Sequence, residues 1–385
     1  MNHSYRIAAV GACLAACTGL PAYAYADETP TAAGSSVTLY GILDTGIEYL
    51  NQAAASTTNK GQTNSVTRMT SGNMSGSRWG ITGREDLGGG SRAFFLLESG
   101  INVGTGTSLQ GGREFGRLAY VGIANDTYGT VALGRQGGLF LDWVSEYNPL
   151  KNAVYAIKMQ DPAFSDRLDN TLRYEKHFGG LSAIAQYSFG YDNVNFGSQP
   201  AGDNRYARVI EAGLRYKHGP FSATLVYDQK NGGSTSPTAA HTAKVGGNEG
   251  DIDRRIGVGA SYKIATVTTY VGYRYLDSHA VHLSTLSTSP VEASSLYWFG
   301  STWYARPNLA FSGTAMYQNF YGNARDPWSF QIDADYFLSK RTDLYLNLGY
   351  VLNRNGSNLG LNGFGTDVVA GKNQFGLMAG IRHKF

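Results

Sequence analysis

Cysteine is almost absent from this chain of 385 residues, and both copies, Cys13 and Cys17, lie near its start. Charged residues are also scarce, at 16% against about 25% in soluble domains. No later segment comes near the roughly 18 consecutive apolar residues that mark a membrane-spanning helix. The net charge of +3 is too small to indicate nucleic acid as a partner. If the N-terminal segment is removed, disulfides, thiolate catalysis and cysteine-ligated metals are excluded.

The N-terminus has the features of a secretory signal over residues 1–26. Arg6 supplies a positive charge, residues 7–20 form a largely apolar core, and Ala24-Tyr25-Ala26 is a small-x-small cleavage site. We therefore predict a mature barrel domain over residues 27–385. A lipoprotein is the alternative, because Leu14-Ala15-Ala16-Cys17 resembles a lipobox, but the cleavage site lies properly downstream of the apolar core.

Segments of about ten residues with alternating side-chain character recur along the chain. Successive side chains of a strand point to opposite faces. In the segment 328–337, Phe330 and Ile332 alternate with Gln331 and Asp333. The last segment, 374–385, has one mostly apolar face, and its other face ends in two cations. About sixteen such segments can be counted, a number at which the lumen of a closed barrel stays open to water.

The connections between these segments alternate between short and long. Asn125–Gly129 and Phe178–Gly180 are short. The long connections include Asn51–Gly76, Gln136–Asp166, Lys230–Asp251, Asp277–Val291 and Asn353–Asn373. So many long loops would argue against a soluble fold. An outer-membrane barrel has short periplasmic turns and longer extracellular loops. The pattern therefore predicts an all-β, antiparallel transmembrane β-barrel of about sixteen strands.

Five stretches carry a resemblance to a known family: V-T-L-Y-G-I-L-D at 37–44, S-R-W-G-I-T-G-R-E-D-L-G-G-G at 77–90, G-R-L-A-Y-V-G at 116–122, G-T-V-A-L-G-R-Q at 129–136 and the terminal G-I-R-H-K-F. Together they resemble the trimeric general-diffusion porins of Gram-negative outer membranes, most of all the β-proteobacterial type. The resemblance implies a sixteen-stranded barrel, a homotrimer and a third loop folded into the lumen to form a constriction. It also implies that Phe385 belongs to a signal read by the outer-membrane insertion machinery.

The resemblance further assigns residues to the constriction. The family places arginines on the barrel wall opposite acids on the third loop, and the matching wall positions are Arg78, Arg117 and Arg167. The third loop, Gln136 to Asp166, offers Asp142, Glu146 and Asp161, with Lys151 and Lys158 beside them. The strand alternation predicts further charged side chains in the lumen, namely Arg84, Glu98, Arg173, Asp333, Asp335 and Arg382. Facing rows of opposite charge would set a transverse field across the passage.

Two further expectations follow from the charges. Arg135 falls on the outward face beside Val131 and Leu133, and a lipid-facing arginine is costly. We therefore expect it to contact a neighbouring subunit, with Glu114 of the second loop as a candidate partner.

At the constriction, the wall arginines and the lysines of the third loop outnumber the well-placed acids, which predicts weak anion preference or near neutrality.

The sequence predicts no cofactor, metal or catalytic site. Gly88-Gly89-Gly90 is a turn, because no Lys-Ser/Thr follows it to hold a phosphate. His279 and His282 share a loop without the acids that would complete a metal site, and no G-x-S-x-G elbow is present.

The predicted function is a water-filled outer-membrane channel for passive diffusion of ions and small hydrophilic solutes. A solute-selective channel, and an outer-membrane enzyme or adhesin acting through the loops, stay open as alternatives. The expected partners are further copies of the chain, outer-membrane lipid and lipopolysaccharide, and the insertion machinery.

Overall fold

The computed structural model describes residues 35–54, 63–196, 201–232, 252–279, 293–322 and 324–385. The predicted signal over residues 1–26 lies outside these ranges, and so does the predicted mature start. No helix within them is long and apolar enough to cross a membrane.

Most of the described residues belong to one antiparallel sheet. The strands of the molecule are β1 (Ser36–Ala54), β2 (Thr63–Ser71), β3 (Arg78–Gly88), β4 (Ser91–Gly100), β5 (Leu118–Asn125), β6 (Gly129–Gly137), β7 (Arg167–Phe178), β8 (Leu181–Ser188), β9 (Val209–His218), β10 (Phe221–Asn231), β11 (Ile252–Ile264), β12 (Val267–His279), β13 (Ala293–Arg306), β14 (Leu309–Phe320), β15 (Trp328–Phe337), β16 (Thr342–Leu352), β17 (Leu359–Gly360), β18 (Gly363–Phe364) and β19 (Gln374–Lys384). One short helix, α1 (Asn193–Phe196), lies between β8 and β9.

The sheet closes on itself as a barrel of sixteen strands. β19 pairs with β16 on one side and with β1 on the other. β1 pairs with β2 along its second half and with β3 along its first half. β2 and β3 are therefore two parts of one barrel strand, interrupted at residues 72–77. Counted this way, the 17 strands of the sheet make the sixteen-stranded barrel that was predicted.

The two faces of the strands follow the predicted alternation. Leu346 is 44% exposed on the outer surface, whereas Asn347 is 1% exposed and faces the lumen. Ile332 and Asp333 differ in the same way, at 58% and 2%. The outer surface is thus a band of apolar and aromatic side chains, as a hydrocarbon surrounding requires. The tight turn predicted between β3 and β4 is also present, and its three glycines, residues 88–90, all have positive φ.

One predicted connection is wrong. The segment Asn51–Gly76 was expected to be a single loop, but it contains the end of β1 and all of β2. β2 is rich in Thr, Ser and Asn, so its two faces do not differ in polarity and leave no alternation to detect. The predicted loops Lys230–Asp251 and Asp277–Val291 lie mostly outside the described residues.

The third loop, between β6 and β7, folds into the lumen, as the resemblance implied. It contains a π-helical turn and three 3-10 turns, at Phe140–Val144, Ser145–Tyr147, Ile157–Met159 and Pro162–Ser165. Phe164 packs edge-to-face on Phe140, at 5.4 Å between ring centroids, and on Trp298 of β13, at 6.0 Å. The main apolar core therefore lies inside the barrel, between this loop and the wall.

Candidate functional site

The third loop docks on a stretch of wall from which inward side chains are missing. An added Cβ at Gly257 would lie 2.8 Å from the ring of Phe140, and one at Gly259 would lie 2.6 Å from Tyr147. The indole N–H of Trp298 donates to the backbone carbonyl of Tyr147 at 2.7 Å. The loop can approach the wall this closely because the wall carries glycine here. We call this stretch the glycine wall; its members are Gly213 on β9, Gly257 and Gly259 on β11, and Gly300 on β13.

Asp161 ties the returning part of the third loop to the same side of the barrel. Its carboxylate is fully buried, and Oδ2 lies 3.1 Å from Nε of Arg255 and 3.0 Å from Nε of Arg274. Oδ1 accepts a hydrogen bond from the N–H of Ala163 at 3.0 Å. Asp161 was predicted to line the constriction. In the structure its buried carboxylate pairs with two arginines of the wall and so holds the loop in place. Sequence reasoning did not include Arg255 or Arg274 in the site, although the parity of β11 and β12 turns both inward.

The other two predicted acids of the loop are also engaged. Oδ2 of Asp142 lies 3.0 Å from Nη2 of Arg173, and the carbonyl of Asp142 accepts from Arg215 at 3.3 Å. Oε2 of Glu146 lies 3.1 Å from Nζ of Lys151 in the same loop. The loop acids thus serve mainly to fix the loop.

Arg78 and Arg117 lie together on a different part of the wall. Arg78 is the first residue of β3, and Arg117 directly precedes β5. Glu98 of β4 lies between them, with Oε1 2.6 Å from Nε of Arg117 and Oε2 3.2 Å from Nε of Arg78. The hydroxyl of Tyr40 donates to Oε2 of Glu98 at 2.9 Å. Two guanidinium groups thus share this one carboxylate.

The interruption between β2 and β3 positions this pair. The N–H groups of Met74 and Ser75 donate to Oδ2 of Asp44 at 2.8 and 2.6 Å, which draws the segment into the lumen. Gly76 then leaves room for Arg117, because a Cβ there would lie 2.7 Å from its Nη1. Nη1 of Arg78 donates to the carbonyl of Gly76 at 2.9 Å.

Arg167 and Lys158 complete the group. Arg167 opens β7 and donates from Nη1 to the carbonyl of Ser165 at 3.3 Å. Lys158, on the returning part of the third loop, is half-buried. Burial, followed by the positive charges of Arg167 and Arg117, lowers the pKa of the Lys158 ammonium to about 8. We call Arg78, Arg117, Arg167 and Lys158 the cationic cluster; the sequence had placed Lys158 only beside the loop acids.

The other charged residues predicted to face the lumen lie along the inner surface. Nη2 of Arg382 is 3.0 Å from carboxylate oxygens of both Asp335 and Asp343. Asp333 and Arg173 are buried, and Arg84 is half-buried on the face of β3 that carries Arg78. Within the described ranges, no group of three or more His, Cys, Asp or Glu could hold a metal ion.

Arg135 has partners in its own chain. Its Nη1 forms an ion pair with Asp169, and its Nε donates to the carbonyl of Gly116 at 2.8 Å. The side chain is only 12% exposed and already paired, so it does not need a second subunit to avoid contact with lipid, as had been expected. The proposed partner, Glu114, is exposed.

Phe385 takes part in the closure of the barrel. Its N–H and carbonyl exchange hydrogen bonds with the backbone of Gly41 at 3.1 and 3.0 Å. Its ring covers the position where a Cβ of Gly41 would stand. The last residue therefore continues the seam between β19 and β1.

Comparisons with known proteins agree with this architecture. A family model described as Gram-negative porin matches residues 10–356. An outer membrane porin protein of Bordetella pertussis is 35% identical over 259 residues, which cover 63% of this chain and 64% of that protein, slightly under two thirds of its length. Outer membrane porin protein 32 of Delftia acidovorans is 31% identical over 368 residues, which cover 92% of this chain and 95% of that protein.

Among solved structures, an anion-selective porin from Comamonas acidovorans superposes with a TM-score of 0.74 at 25% identity, covering 91% of this chain and 100% of that chain. These relatives are channel proteins and not enzymes. The chain therefore belongs to the Gram-negative porin family and is a β-barrel channel of the outer membrane.

Proposed function

We propose that this porin is a general-diffusion channel whose constriction prefers anions. The observation that carries the proposal is the cationic cluster, in which Arg78 and Arg117 share the carboxylate of Glu98 and the ammonium group of Lys158 feels the positive charges of Arg167 and Arg117. At physiological salt the Debye length is about 8 Å, so distant charges of the lumen are largely screened. The local charge of the cluster, and not the net charge of +3, sets the ion preference.

The chemistry of the cluster suits a hydrated anion in transit. Guanidinium groups offer several N–H donors in a fixed plane, which can replace part of the hydration shell of an anion. The apolar packing of the third loop behind Lys158 lowers the local dielectric and strengthens the field across the passage. Glu98 keeps Arg78 and Arg117 side by side despite their mutual repulsion. Uncharged hydrophilic solutes pass according to their size.

The similarity to the anion-selective porin from Comamonas acidovorans supports the same conclusion. That similarity concerns the whole barrel, whereas the cationic cluster is an observation on this chain's own residues. The cationic cluster, and not the similarity, is therefore the basis of the proposal.

The test is the reversal potential of single channels in a KCl gradient. Replacing Arg78, Arg117 and Arg167 together by Ser is expected to move the reversal potential toward that of a cation-preferring channel. The matched control replaces three arginines outside the cluster by Ser, namely Arg84, Arg92 and Arg341, and is expected to keep the wild-type value. Equal reversal potentials for the wild type and the cluster variant would remove the basis of the proposal.

We also propose a homotrimer held by the outward apolar faces of β1 and β19, with the second loop, Ile101 to Glu114, contacting a neighbour. Leu39 and Ile47 are 61% and 50% exposed on β1, and Ile381 is 43% exposed on β19. Gel electrophoresis without boiling should show an oligomer that heat dissociates. A purely monomeric profile in mild detergent would count against this assembly.

Two partners are proposed from the sequence. The C-terminal strand with Phe385 is recognised by the outer-membrane insertion machinery, and the extracellular loops contact lipopolysaccharide. Deletion of Phe385 is expected to slow insertion in cells, with the barrel still folding in detergent. An unchanged insertion rate would exclude this residue from the signal.

A further inference from the structure

The last extracellular loop, between β16 and β19, also folds toward the lumen. Its hairpin, β17 and β18, pairs Leu359 with Phe364 and Gly360 with Gly363. Leu359 and Leu361 are both 0% exposed. A loop that only covered the outer rim would not bury two leucines completely. This loop is therefore part of the interior of the barrel.

The hairpin fills the space between the wall and the tip of the third loop. A Cβ at Gly376 of β19 would lie 2.5 Å from Cδ1 of Leu361 and 2.7 Å from Oη of Tyr155. A Cβ at Gly349 of β16 would meet the same two side chains, at 2.5 and 3.0 Å. Phe364 packs edge-to-face on Phe320, at 5.6 Å between centroids. The two loops thus share one apolar contact on two inward glycines of the wall.

Polar side chains at the base of the loop hold this shape. Nδ2 of Asn353 donates to the carbonyls of Leu359 and Lys372, both at 2.8 Å, and its Oδ1 accepts from the N–H of Leu359 at 3.0 Å. Oε1 of Gln374 accepts from the N–H of Leu361 at 2.9 Å. These bonds satisfy backbone groups that the inward fold removes from water.

A chain of charged contacts joins the same loop to the third loop. Asp367 lies 2.7 Å from Nη2 of Arg68 on β2, and Nε of Arg68 lies 2.6 Å from Oε2 of Glu48 on β1. The hydroxyl of Tyr155, at the tip of the third loop, donates to Oε1 of Glu48 at 2.9 Å. Glu48 is fully buried, whereas Arg68 and Asp367 are about one third exposed. The buried Tyr155–Glu48 bond is thus the stronger part of this chain, since exposed ion pairs contribute little.

We infer that the last extracellular loop is a second constricting loop, which sets the size limit of the channel by closing the sector between β16, β19 and the tip of the third loop. Leu361 and Asp367 position that tip through Tyr155. Arg68 is shared between Asp367 and Glu48, so this group carries one net negative charge and contributes none of the positive charge of the cationic cluster. Size selection therefore belongs to this loop, whereas charge selection belongs to the cationic cluster. The inference rests on the proposed cationic cluster only for the assignment of charge selection.

The first test removes the hairpin. The N–H of Gly371 donates to the carbonyl of Ser357 at 2.7 Å, so deletion of residues 358–370 joins two ends that are already in contact. The control deletes residues 103–106 of the second loop, where the N–H of Asn102 bonds the carbonyl of Thr107 at 2.9 Å. In liposomes, we expect the rate for a trisaccharide relative to a pentose to rise about twofold in the hairpin deletion and to stay unchanged in the control.

Point variants keep the inference testable if the deletion does not fold, which heat-dependent gel mobility reveals. Leu361→Ala is expected to raise the trisaccharide rate, while Val194→Ala, in the exposed loop after β8, leaves it unchanged. Tyr155→Phe removes only the buried bond to Glu48 and is expected to increase open-channel noise. Asp367→Asn is expected to act in the same direction with a smaller effect, and Asp367→Glu to restore the wild-type behaviour.

The outcomes separate this inference from the proposed anion preference. A raised trisaccharide rate with an unchanged reversal potential supports two separate selection sites. An unchanged trisaccharide rate in folded variants overturns the inference and leaves the cationic cluster untouched. A reversal potential that moves as much as in the arginine variant also overturns it, because the loop would then control charge.

Discussion

The two sides of the lumen carry opposite kinds of residue. On one side Arg78, Arg117 and Arg167 project long charged side chains, and on the other the glycine wall projects none. On the first side, Glu98 and the backbone carbonyls of Gly76 and Ser165 hold the guanidinium groups. The second side is covered by the third loop. Its rings pack so close to the wall that a Cβ at Gly257 would lie only 2.8 Å from the ring of Phe140. A strand of this barrel is thus adapted to what covers its inner face.

The charged residues on the two sides of the lumen therefore have different roles. In the proposed function, charges on the arginine side act on passing solutes, whereas Arg255 and Arg274 on the other side hold the third loop through Asp161. The same residue type is therefore given two roles, and its partners distinguish them. Arg274 pairs with Asp161 of the third loop, whereas Arg117 pairs with Glu98 of the wall.

The largest expected effect comes from Asp161. Asp161→Asn removes the carboxylate shared by two buried arginines, and breaking a buried pair in this way costs about 3–5 kcal/mol. Glu146→Gln, in a partly exposed pair, should cost about 0–1 kcal/mol. Urea unfolding of detergent-folded protein measures both, and equal effects would refute the anchoring role of Asp161.

The next effect compares the outer and inner surfaces of one strand. Leu346→Arg places a charge in hydrocarbon and is expected to cost about 2–4 kcal/mol if the site lies near the bilayer midplane. Asn347→Arg, one residue along, points into the lumen and should change conductance with little effect on stability. Unfolding in lipid vesicles distinguishes the two, and a comparable loss for Asn347→Arg would show that the register of β16 is wrong.

A smaller effect is expected at the glycine wall. Gly257→Val pushes against Phe140 and Val144 of the third loop, and overpacking of this kind costs about 1–3 kcal/mol. The loop, pushed off this wall toward the arginine side, should also narrow the passage and lower the single-channel conductance. Gly313→Ala is the control, because a Cβ there meets nothing closer than 3.6 Å. A conductance that stays at the wild-type value in Gly257→Val would mean that the loop does not depend on this contact.

Much of the fold was accessible from the sequence because strand alternation is a local signal. Leu346 and Asn347 illustrate it, since lipid and water act on neighbouring residues in opposite ways. The signal fails where both faces are apolar, as in β13. There Tyr297 is 45% exposed on the outside, whereas Leu296 and Trp298 are buried under the third loop. A strand that touches lipid on one side and a packed loop on the other shows no alternation.

The site was less accessible because its contacts join distant segments. The three wall arginines could be named from the family resemblance, but their grouping with Lys158 depends on how the third loop turns. Asp161 and Arg274 are 113 positions apart in the numbering and meet only because the loop crosses the lumen. The number of charged residues does not show which acid of the loop meets which arginine of the wall, because that depends on the path of the loop through the lumen.

We propose that the passage narrows between the arginine side of the barrel and Lys158, and the pH dependence of the reversal potential tests this directly. Because the pKa of Lys158 is lowered to about 8, raising the pH through that value removes one positive charge from the passage. Anion preference should therefore decline between about pH 7 and pH 9 in the wild type. It should persist to higher pH in Lys158→Arg, and in Lys158→Gln it should start lower and stay flat. The same decline in Lys158→Gln as in the wild type would show that Lys158 does not act on ions in the passage.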